Sequence, residues 1–86
     1  MYYVYILLSL KDKKFYIGST KDLRLRKSEH DNGKVDSTKH RRPLSLICYE
    51  AYPTKTEALL REKYLKTSDG RKEIRVRLKI TLQKYQ

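Results

Sequence analysis

The segment from Tyr2 to His30 constrains the fold most, because it combines two short apolar runs with a basic stretch. Tyrosines alternate with aliphatic residues over Tyr2–Ser9, which predicts a strand that is buried on at least one face. A short polar break separates this run from Lys14–Gly18, so the two runs are predicted to pair as a β-hairpin. Beyond the second run, Ser19 or Thr20 is expected to cap a helix.

The remaining pattern predicts one more strand and two helices. We expect a basic helix over Asp22–Asp31, a strand over Leu44–Tyr52 and a second helix over Lys55–Thr67. Thr54, followed three residues later by Glu57, has the pattern of a capping box at the start of the second helix. The fold class that follows is α/β (α+β): one small domain over residues 1–86, with a three-stranded antiparallel sheet flanked by helices.

The C-terminal segment Arg71–Tyr85 is compatible with two structures. Its apolar residues recur at every second position from Ile74 to Leu82, which is the period of a strand. The alternative is a final helix, and both assignments stay open from the residues alone.

The charge of the chain indicates the chemistry of its partner. A net charge of +11, from 21 Lys and Arg against 10 Asp and Glu, is extreme for 86 residues. Such an excess favours a polyanion, most simply a nucleic acid, although a solvated basic surface is the alternative. The single cysteine, Cys48, excludes an internal disulfide. The apolar run at the N-terminus is too short to cross a membrane, so we expect a soluble, cytoplasmic protein without a membrane partner.

Helical spacing singles out a few side chains on the two predicted helices. Leu23, Arg26 and His30 share one face of the first helix, whereas Arg24 lies off it. If Leu23 packs on the sheet, Arg26 and His30 point along the same side, although a surface cation and a structural histidine are the simpler interpretations.

The second helix carries a carboxylate on its apolar face. By helical phase, Glu62 lies among Ala58, Leu59 and Leu65. A carboxylate on a buried stripe must be paired with a cation, bound to a metal or protonated. The sequence therefore predicts either a metal ligand or a salt-bridged glutamate at this position.

Several motifs occur together in one order along the chain. The tripeptide Tyr3-Val4-Tyr5 precedes Tyr16-Ile17-Gly18, and Tyr16 lies eleven positions after Tyr5. These motifs are followed by Arg26 and His30, then Arg42-Pro43, and finally Glu57-Ala58 with Glu62. From Tyr2 to about Arg71 the chain resembles the GIY-YIG nuclease family, and most closely its small, single-domain, excinuclease-like bacterial members.

The resemblance implies a metal-dependent endonuclease that hydrolyses DNA phosphodiesters in DNA repair or recombination, guided by DNA structure or by a protein partner. It assigns the general base to Tyr16 with Tyr5 as its partner, a phosphate clamp to Arg26, phosphate binding or proton transfer to His30, and Mg²⁺ or Mn²⁺ binding to Glu62. Residues expected at the nucleic acid, DNA or alternatively RNA, are Gly18, Lys21, Arg24, Lys39, Arg41 and Arg42. Gly18 is expected to end its strand, with a positive φ that leaves room for a phosphate.

The chain also departs from the family. Ser19 stands where the repair nucleases carry a lysine, for which Lys21 is a substitute, and the only asparagine, Asn32, lies too early to match the family's late one. The resemblance favours a helix at the C-terminus. Two alternatives to the nuclease are a basic nucleic-acid-binding module with little or no cleavage activity and a basic module that binds a protein partner.

Overall fold

A computed structural model describes residues 1–85 as one three-stranded sheet with four helices. The strands are β1 (Tyr2–Ser9), β2 (Phe15–Thr20) and β3 (Leu44–Tyr52). The helices are α1 (Leu23–Asp31), α2 (Lys55–Leu65), α3 (Ser68–Arg77) and α4 (Lys79–Gln83). Strand order is β2-β1-β3, and both pairs are antiparallel. The predicted fold class is therefore confirmed.

The central strand β1 separates two layers of core. Residues Val4 to Leu8 are all buried. Val4 and Ile6 pack with Ala58, Leu65 and Ile74 of α2 and α3. On the opposite face, a second cluster contains side chains from the strands and from α1: Tyr5, Leu7, Tyr16, Leu23, Leu44 and Leu46. The alternation seen in the sequence thus places α1 on one face of the sheet and α2 and α3 on the other.

The hairpin turn is held by side chains instead of an Asn-Gly pair. The Ser9 hydroxyl accepts bonds from the backbone N–H groups of Lys11 and Asp12, each at 3.2 Å, and donates to the Arg41 carbonyl at 2.7 Å. Lys13 takes a positive φ of 61°. The Arg41 guanidinium pairs with the Asp12 carboxylate at 2.7 Å, so the turn is tied to the loop that precedes β3.

The predicted cap of the first helix is wrong. Ser19 and Thr20 belong to β2, which continues two residues past Gly18 because Thr20 still pairs with Tyr3 of β1. Asp22 is the cap, and its carboxylate accepts a bond from the N–H of Leu25 at 3.0 Å. The extended backbone of β2 therefore continues to Thr20, and α1 begins at Leu23, after the cap at Asp22.

The capping box of α2 is confirmed, but one member of its predicted apolar face is misplaced. The Thr54 hydroxyl accepts a bond from the N–H of Glu57 at 3.2 Å. Ala58 and Leu65 are each 1% exposed, whereas Leu59 is 45% exposed. The buried stripe is narrow because α2 touches the sheet along the line between Ala58 and Leu65, and Leu59 falls outside it.

The C-terminal segment is helical, so the strand alternative is wrong. Thr67 caps α3, and its hydroxyl accepts a bond from the N–H of Gly70 at 3.0 Å. Of the alternating apolar residues, Ile74 is buried, but Val76 and Ile80 are 76% and 75% exposed and line no common core. A side chain at Gly70 would collide with the backbone of Tyr64, so glycine is needed where α3 crosses α2.

An ion-pair network fastens α2 and α3 to β3. The Arg61 guanidinium donates to the carboxylates of Glu50 on β3 and Glu73 on α3, each at 2.8 Å.

Within residues 1–85, no helix combines the length and the apolar character that a membrane span requires.

Candidate active site

Four of the predicted site residues meet on the face of the sheet that α1 covers. Tyr5 is 2% exposed, and its hydroxyl oxygen lies 2.8 Å from Nε2 of His30. The Nε–H of Arg26 donates to the same oxygen at 3.4 Å. The ring of Tyr16 lies 6.3 Å from that of Tyr5 and 5.0 Å from that of His30, centroid to centroid. The helical face and the hairpin register thus bring two phenols, one guanidinium and one imidazole together.

Gly18 makes room for the Tyr5 side chain. Gly18 lies opposite Tyr5 in the β1–β2 ladder, and a Cβ atom placed on it would lie 2.5 Å from the Tyr5 hydroxyl. The glycine is inside β2 and buried, and its φ is not positive, so the prediction of a strand end with positive φ is wrong. The space that was expected to admit a phosphate is occupied by the phenol.

We expect Gly18→Ala to destabilise the protein by roughly 1–3 kcal/mol, the usual cost of forcing an extra group into a packed core. The closest atoms are the hydroxyl oxygen and Cζ of Tyr5, at 2.5 and 2.6 Å, so Tyr5→Leu, which removes both, should make the cost of Gly18→Ala smaller in the double variant. Chemical denaturation of the four proteins measures both effects. Additive losses in the double variant would show that the two residues do not collide.

The structure adds Thr38, which the sequence analysis missed. His30 is 0% exposed, and its Nδ1 lies 2.7 Å from the hydroxyl of Thr38, which is also fully buried. Thr38 belongs to the irregular stretch between α1 and β3, where it carries no motif and no periodicity that could have identified it. Only the folded loop brings it beneath the imidazole.

The hydrogen bonds that link Arg26, Tyr5, His30 and Thr38 allow the position of each shared proton to be assigned. Arg26 can only donate, so the Tyr5 oxygen accepts from it and the Tyr5 O–H is left to donate to Nε2 of His30. His30 then carries its proton on Nδ1 and donates it to the Thr38 hydroxyl. The assigned order runs from Arg26 through Tyr5 and His30 to Thr38, and it fixes the orientation of both rings.

Burial keeps Tyr5 and His30 neutral near pH 7. It raises the pKa of the Tyr5 phenol, to which the charges of Tyr16 and Glu62 add, while the bond from Arg26 opposes the rise. Burial and the nearby Arg26 charge lower the pKa of His30. Tyr5 is therefore a poor base and a good hydrogen-bond donor. Tyr16 is half-buried, and its hydroxyl has no hydrogen-bond partner within residues 1–85.

The lowered pKa of His30 predicts an acid-sensitive fold. Below the pKa of about 6.5 that histidine has in the unfolded chain, His30 binds a proton in the unfolded state but stays neutral in the native state. The free energy of unfolding therefore falls as the pH drops, by at most about 1.4 kcal/mol per pH unit. We expect the melting temperature of the wild type to fall between pH 7 and 5, and His30→Gln to flatten this dependence. His40 is exposed and supplies the control: His40→Gln should leave it unchanged. Equal pH profiles for all three proteins would contradict the assignment.

Arg26 and Arg24 differ in position, as the helical phase predicts. Arg26 reaches the Tyr5 hydroxyl, and its second nitrogen pairs with the Glu29 carboxylate at 3.3 Å. Its side chain remains 36% exposed, so the guanidinium is fixed in the site but open to a ligand. Arg24 is exposed and makes no ion pair with a residue in 1–85.

Glu62 of α2 contacts β2 from the face of the sheet opposite to the Tyr5 side chain. Its carboxylate accepts a bond from the Ser19 hydroxyl at 2.8 Å and pairs with the Lys66 ammonium at 2.9 Å. Ser19 follows Gly18 in β2, and the Glu62 charge adds a small contribution to the raised pKa of the Tyr5 phenol. The side chain of Glu62 is 17% exposed, which leaves its carboxylate partly open to solvent.

The donor set at Glu62 is compatible with a weakly held Mg²⁺. Within residues 1–85, no group of three or more His, Cys, Asp and Glu side chains could enclose a metal. Mg²⁺, however, commonly binds to one or two carboxylates and takes its other ligands from water and substrate phosphate. The competing Lys66 is 54% exposed, and such a surface ion pair contributes about 0–1 kcal/mol, so a divalent cation could displace it.

The cations expected at the nucleic acid fall into two groups. Lys21 and Arg24 are exposed near the start of α1, and Lys21 lies over the Tyr2 ring. The others are engaged within the protein: Lys39 pairs with Asp36, the Arg41 guanidinium binds the hairpin turn, and Arg42 donates to the carbonyls of Lys39 and Asp31. Much of the basic cluster at 39–42 therefore holds its own loop in place.

Comparison with known proteins follows this geometry. A family model described as the GIY-YIG catalytic domain matches residues 1–75. UPF0213 proteins of Staphylococcus saprophyticus and Staphylococcus epidermidis are each 40% identical over 76 residues, which cover 87% of this chain and 92% of theirs. The solution NMR structure of a UPF0213 protein from Bacillus halodurans is 40% identical and superposes with a TM-score of 0.55, over 92% of this chain and 86% of that one.

Proposed function

The chain belongs to the GIY-YIG nuclease family, and on this premise we propose that it is a metal-dependent endonuclease that hydrolyses DNA phosphodiester bonds. The observation that carries the proposal is the cluster of Tyr5, Tyr16, Arg26 and His30 on one face of the sheet. A basic surface needs no buried groups to position its cations. Here a buried histidine and a buried phenol hold a half-exposed arginine in place, which indicates a specific site. Such preorganised donors are what a phosphoryl-transfer site needs.

Each member of the cluster takes a distinct role in the proposal. Arg26 binds the scissile phosphate and stabilises the charge that builds on it during hydrolysis. Tyr5 stays protonated and, through its bonds to Arg26 and His30, fixes the position of the guanidinium. Tyr16, whose hydroxyl makes no hydrogen bond within residues 1–85, orients the attacking water and, as the phenolate, takes its proton and becomes the phenol.

Glu62 would hold the divalent cation, Mg²⁺ or Mn²⁺, with the Ser19 hydroxyl orienting its carboxylate. When bound there, the cation would stabilise negative charge on the leaving oxygen. Ser19 would orient the carboxylate by donating to its Oε1, while Oε2, which pairs with Lys66, would bind the cation once Lys66 is displaced.

The net charge of +11 supports DNA as the substrate class, because phosphates supply the matching negative charge. The described surface offers no separate DNA-reading element such as a recognition helix standing clear of the sheet. Cleavage would then be directed by DNA structure or by a protein partner, in DNA repair or recombination.

A panel of end-labelled DNA and RNA substrates, incubated with Mg²⁺, Mn²⁺ or EDTA, tests the proposal. We expect cleavage of DNA with either metal and none with EDTA. Cleavage that persists in EDTA would exclude the metal-dependent mechanism, and preferential cleavage of RNA would change the substrate class.

One observation favours the second candidate, a basic nucleic-acid-binding module with little or no cleavage. The Glu62 carboxylate is already paired with Lys66, and within residues 1–85 it belongs to no group of three or more His, Cys, Asp and Glu side chains that could hold a metal. A protein of this kind would bind DNA in the panel, release it with salt, and leave every substrate intact with either metal.

A further inference from the structure

We propose that Tyr3 and Tyr49 form a stacking platform for an unpaired base, so that the protein binds single-stranded DNA next to the bond it cleaves. The inference rests on the proposed function for its connection to cleavage, but the platform itself is a separate binding site. None of its residues belongs to the Tyr5–His30 cluster.

The sheet places the platform directly beside that cluster. Tyr49 of β3 is paired with Tyr5 of β1, and directly paired residues point to the same face, with Cβ atoms about 4.5–5.5 Å apart. The ring of Tyr49 packs edge-on against that of Tyr3, with 6.0 Å between centroids. A base stacked on Tyr49 would therefore lie on the same face of the sheet as the cluster that holds Arg26.

The two rings of the platform are open to solvent, although tyrosine side chains in folded proteins are usually at least partly buried. Tyr49 is 55% exposed and Tyr3 is half-buried, whereas Tyr5, the strand partner of Tyr49, is 2% exposed. Their rings form the floor of a groove of about 800 Å³, with the N-terminal part of α1 as its wall. Aromatic rings on an open strand, next to a functional cluster, leave a π-face available for a ligand.

The wall of the groove carries the charge that a nucleic-acid backbone requires. Lys21 and Arg24 line it, and neither forms an ion pair with a residue in 1–85. Lys27 also lines it, but its charge is matched by Asp31 at 2.7 Å. The Asp22 carboxylate on the rim is engaged as the cap of α1. Arg24 is the cation on this wall that contacts no other charged or aromatic group within residues 1–85, and Lys21, whose ammonium lies 5.9 Å from the Tyr2 ring, can swing toward the groove. Cations beside two aromatic rings are the combination that binds single strands without sequence preference.

The same combination disfavours a duplex at this groove. In a double helix each base is stacked between its neighbours and has no free face for a tyrosine, so stacking on Tyr49 requires an unpaired nucleotide. A duplex can still bind through its phosphates, which makes the difference between single and double strands the property to measure.

The experiment measures binding of a fluorescently labelled oligo-dT and of a duplex of equal length by anisotropy, in EDTA so that no cleavage occurs. We expect Tyr49→Ala to weaken oligo-dT binding by about 5- to 100-fold, the range for losing one stacked base, with duplex binding within about twofold of the wild type. Tyr49→Phe keeps the ring and should bind like the wild type. Tyr64→Ala removes an exposed tyrosine on α2, away from the groove, and is the matched control.

Wild-type affinity for oligo-dT after Tyr49→Ala, or equal losses for oligo-dT and duplex, would overturn the platform. So would a comparable loss in Tyr64→Ala, which would mean that any exposed tyrosine contributes. Because the assay measures binding without metal, its result is independent of cleavage. If the substrate panel showed no cleavage but Tyr49→Ala selectively weakened oligo-dT binding, the nuclease would be refuted and the single-strand site would stand.

Discussion

Replacing Arg26 with alanine is expected to slow DNA cleavage by about 10²–10³-fold while leaving most of the DNA affinity intact. The guanidinium is fixed by the Tyr5 hydroxyl and by Glu29, so in the proposed site it would meet the phosphate in one orientation. A cation that is preorganised in this way stabilises the charge of the transition state more than that of the bound substrate. The loss should therefore appear in the single-turnover rate and not in the dissociation constant.

Arg24 is the matched control for this variant. It lies two residues away on the same helix, carries the same charge and is exposed on the groove side of α1. Arg24→Ala should weaken DNA binding and leave the rate at saturating protein nearly unchanged. If both variants lost rate and affinity to the same degree, bulk charge would explain the effect and the special position of Arg26 would be refuted.

Glu62→Gln is expected to reduce metal-dependent cleavage by at least ~10²-fold, since a bound cation contributes several kcal/mol of transition-state stabilisation. Glutamine keeps the size of the side chain and can still accept the bond from Ser19, but it loses the charge that attracts a divalent ion. DNA binding should be retained or improved, because one negative charge leaves the site.

The stability of this variant separates the two interpretations of Glu62. The pair with Lys66 is exposed on the lysine side, so its loss should cost about 0–1 kcal/mol, and thermal melts with Mg²⁺ and with EDTA measure it. Glu57→Gln, on the exposed side of the same helix, is the control and should cleave normally. A large drop in stability together with unchanged cleavage would assign Glu62 a structural role alone.

Periodicity was sufficient to predict most of the fold. The alternation of Tyr2–Ser9 predicted the strand β1, and the i, i+3, i+7 spacing predicted that Leu23, Arg26 and His30 share one face of α1. It failed at the C-terminus, where Ile74, Val76 and Ile80 alternate as in a strand but form helices. There the cap at Thr67 and the contact of α3 with α2 outweigh the local pattern, and these depend on tertiary structure.

Long-range contacts account for what the sequence could not predict at the site. Thr38 reaches His30 only because the loop folds back under α1, and Gly18 proved to be shaped around Tyr5 and not around a phosphate. Arg41 and Arg42 counted toward the basic cluster, yet their guanidinium groups bond to the turn and the loop. A charged residue in a sequence carries no sign of whether its partner is a ligand or the protein itself.

The most direct test of the central claim is a single-turnover cleavage assay on wild type and Arg26→Ala, purified side by side and assayed with Mg²⁺ and with EDTA. The substrate is a labelled DNA that contains both duplex and single-stranded segments. The expected result is cleavage by the wild type with Mg²⁺ only, and a rate about 10²–10³-fold lower for the variant at equal DNA occupancy. Equal cleavage by the two proteins, or a wild type that binds the DNA and cleaves none of it with Mg²⁺ or Mn²⁺, would contradict an active site built on Arg26.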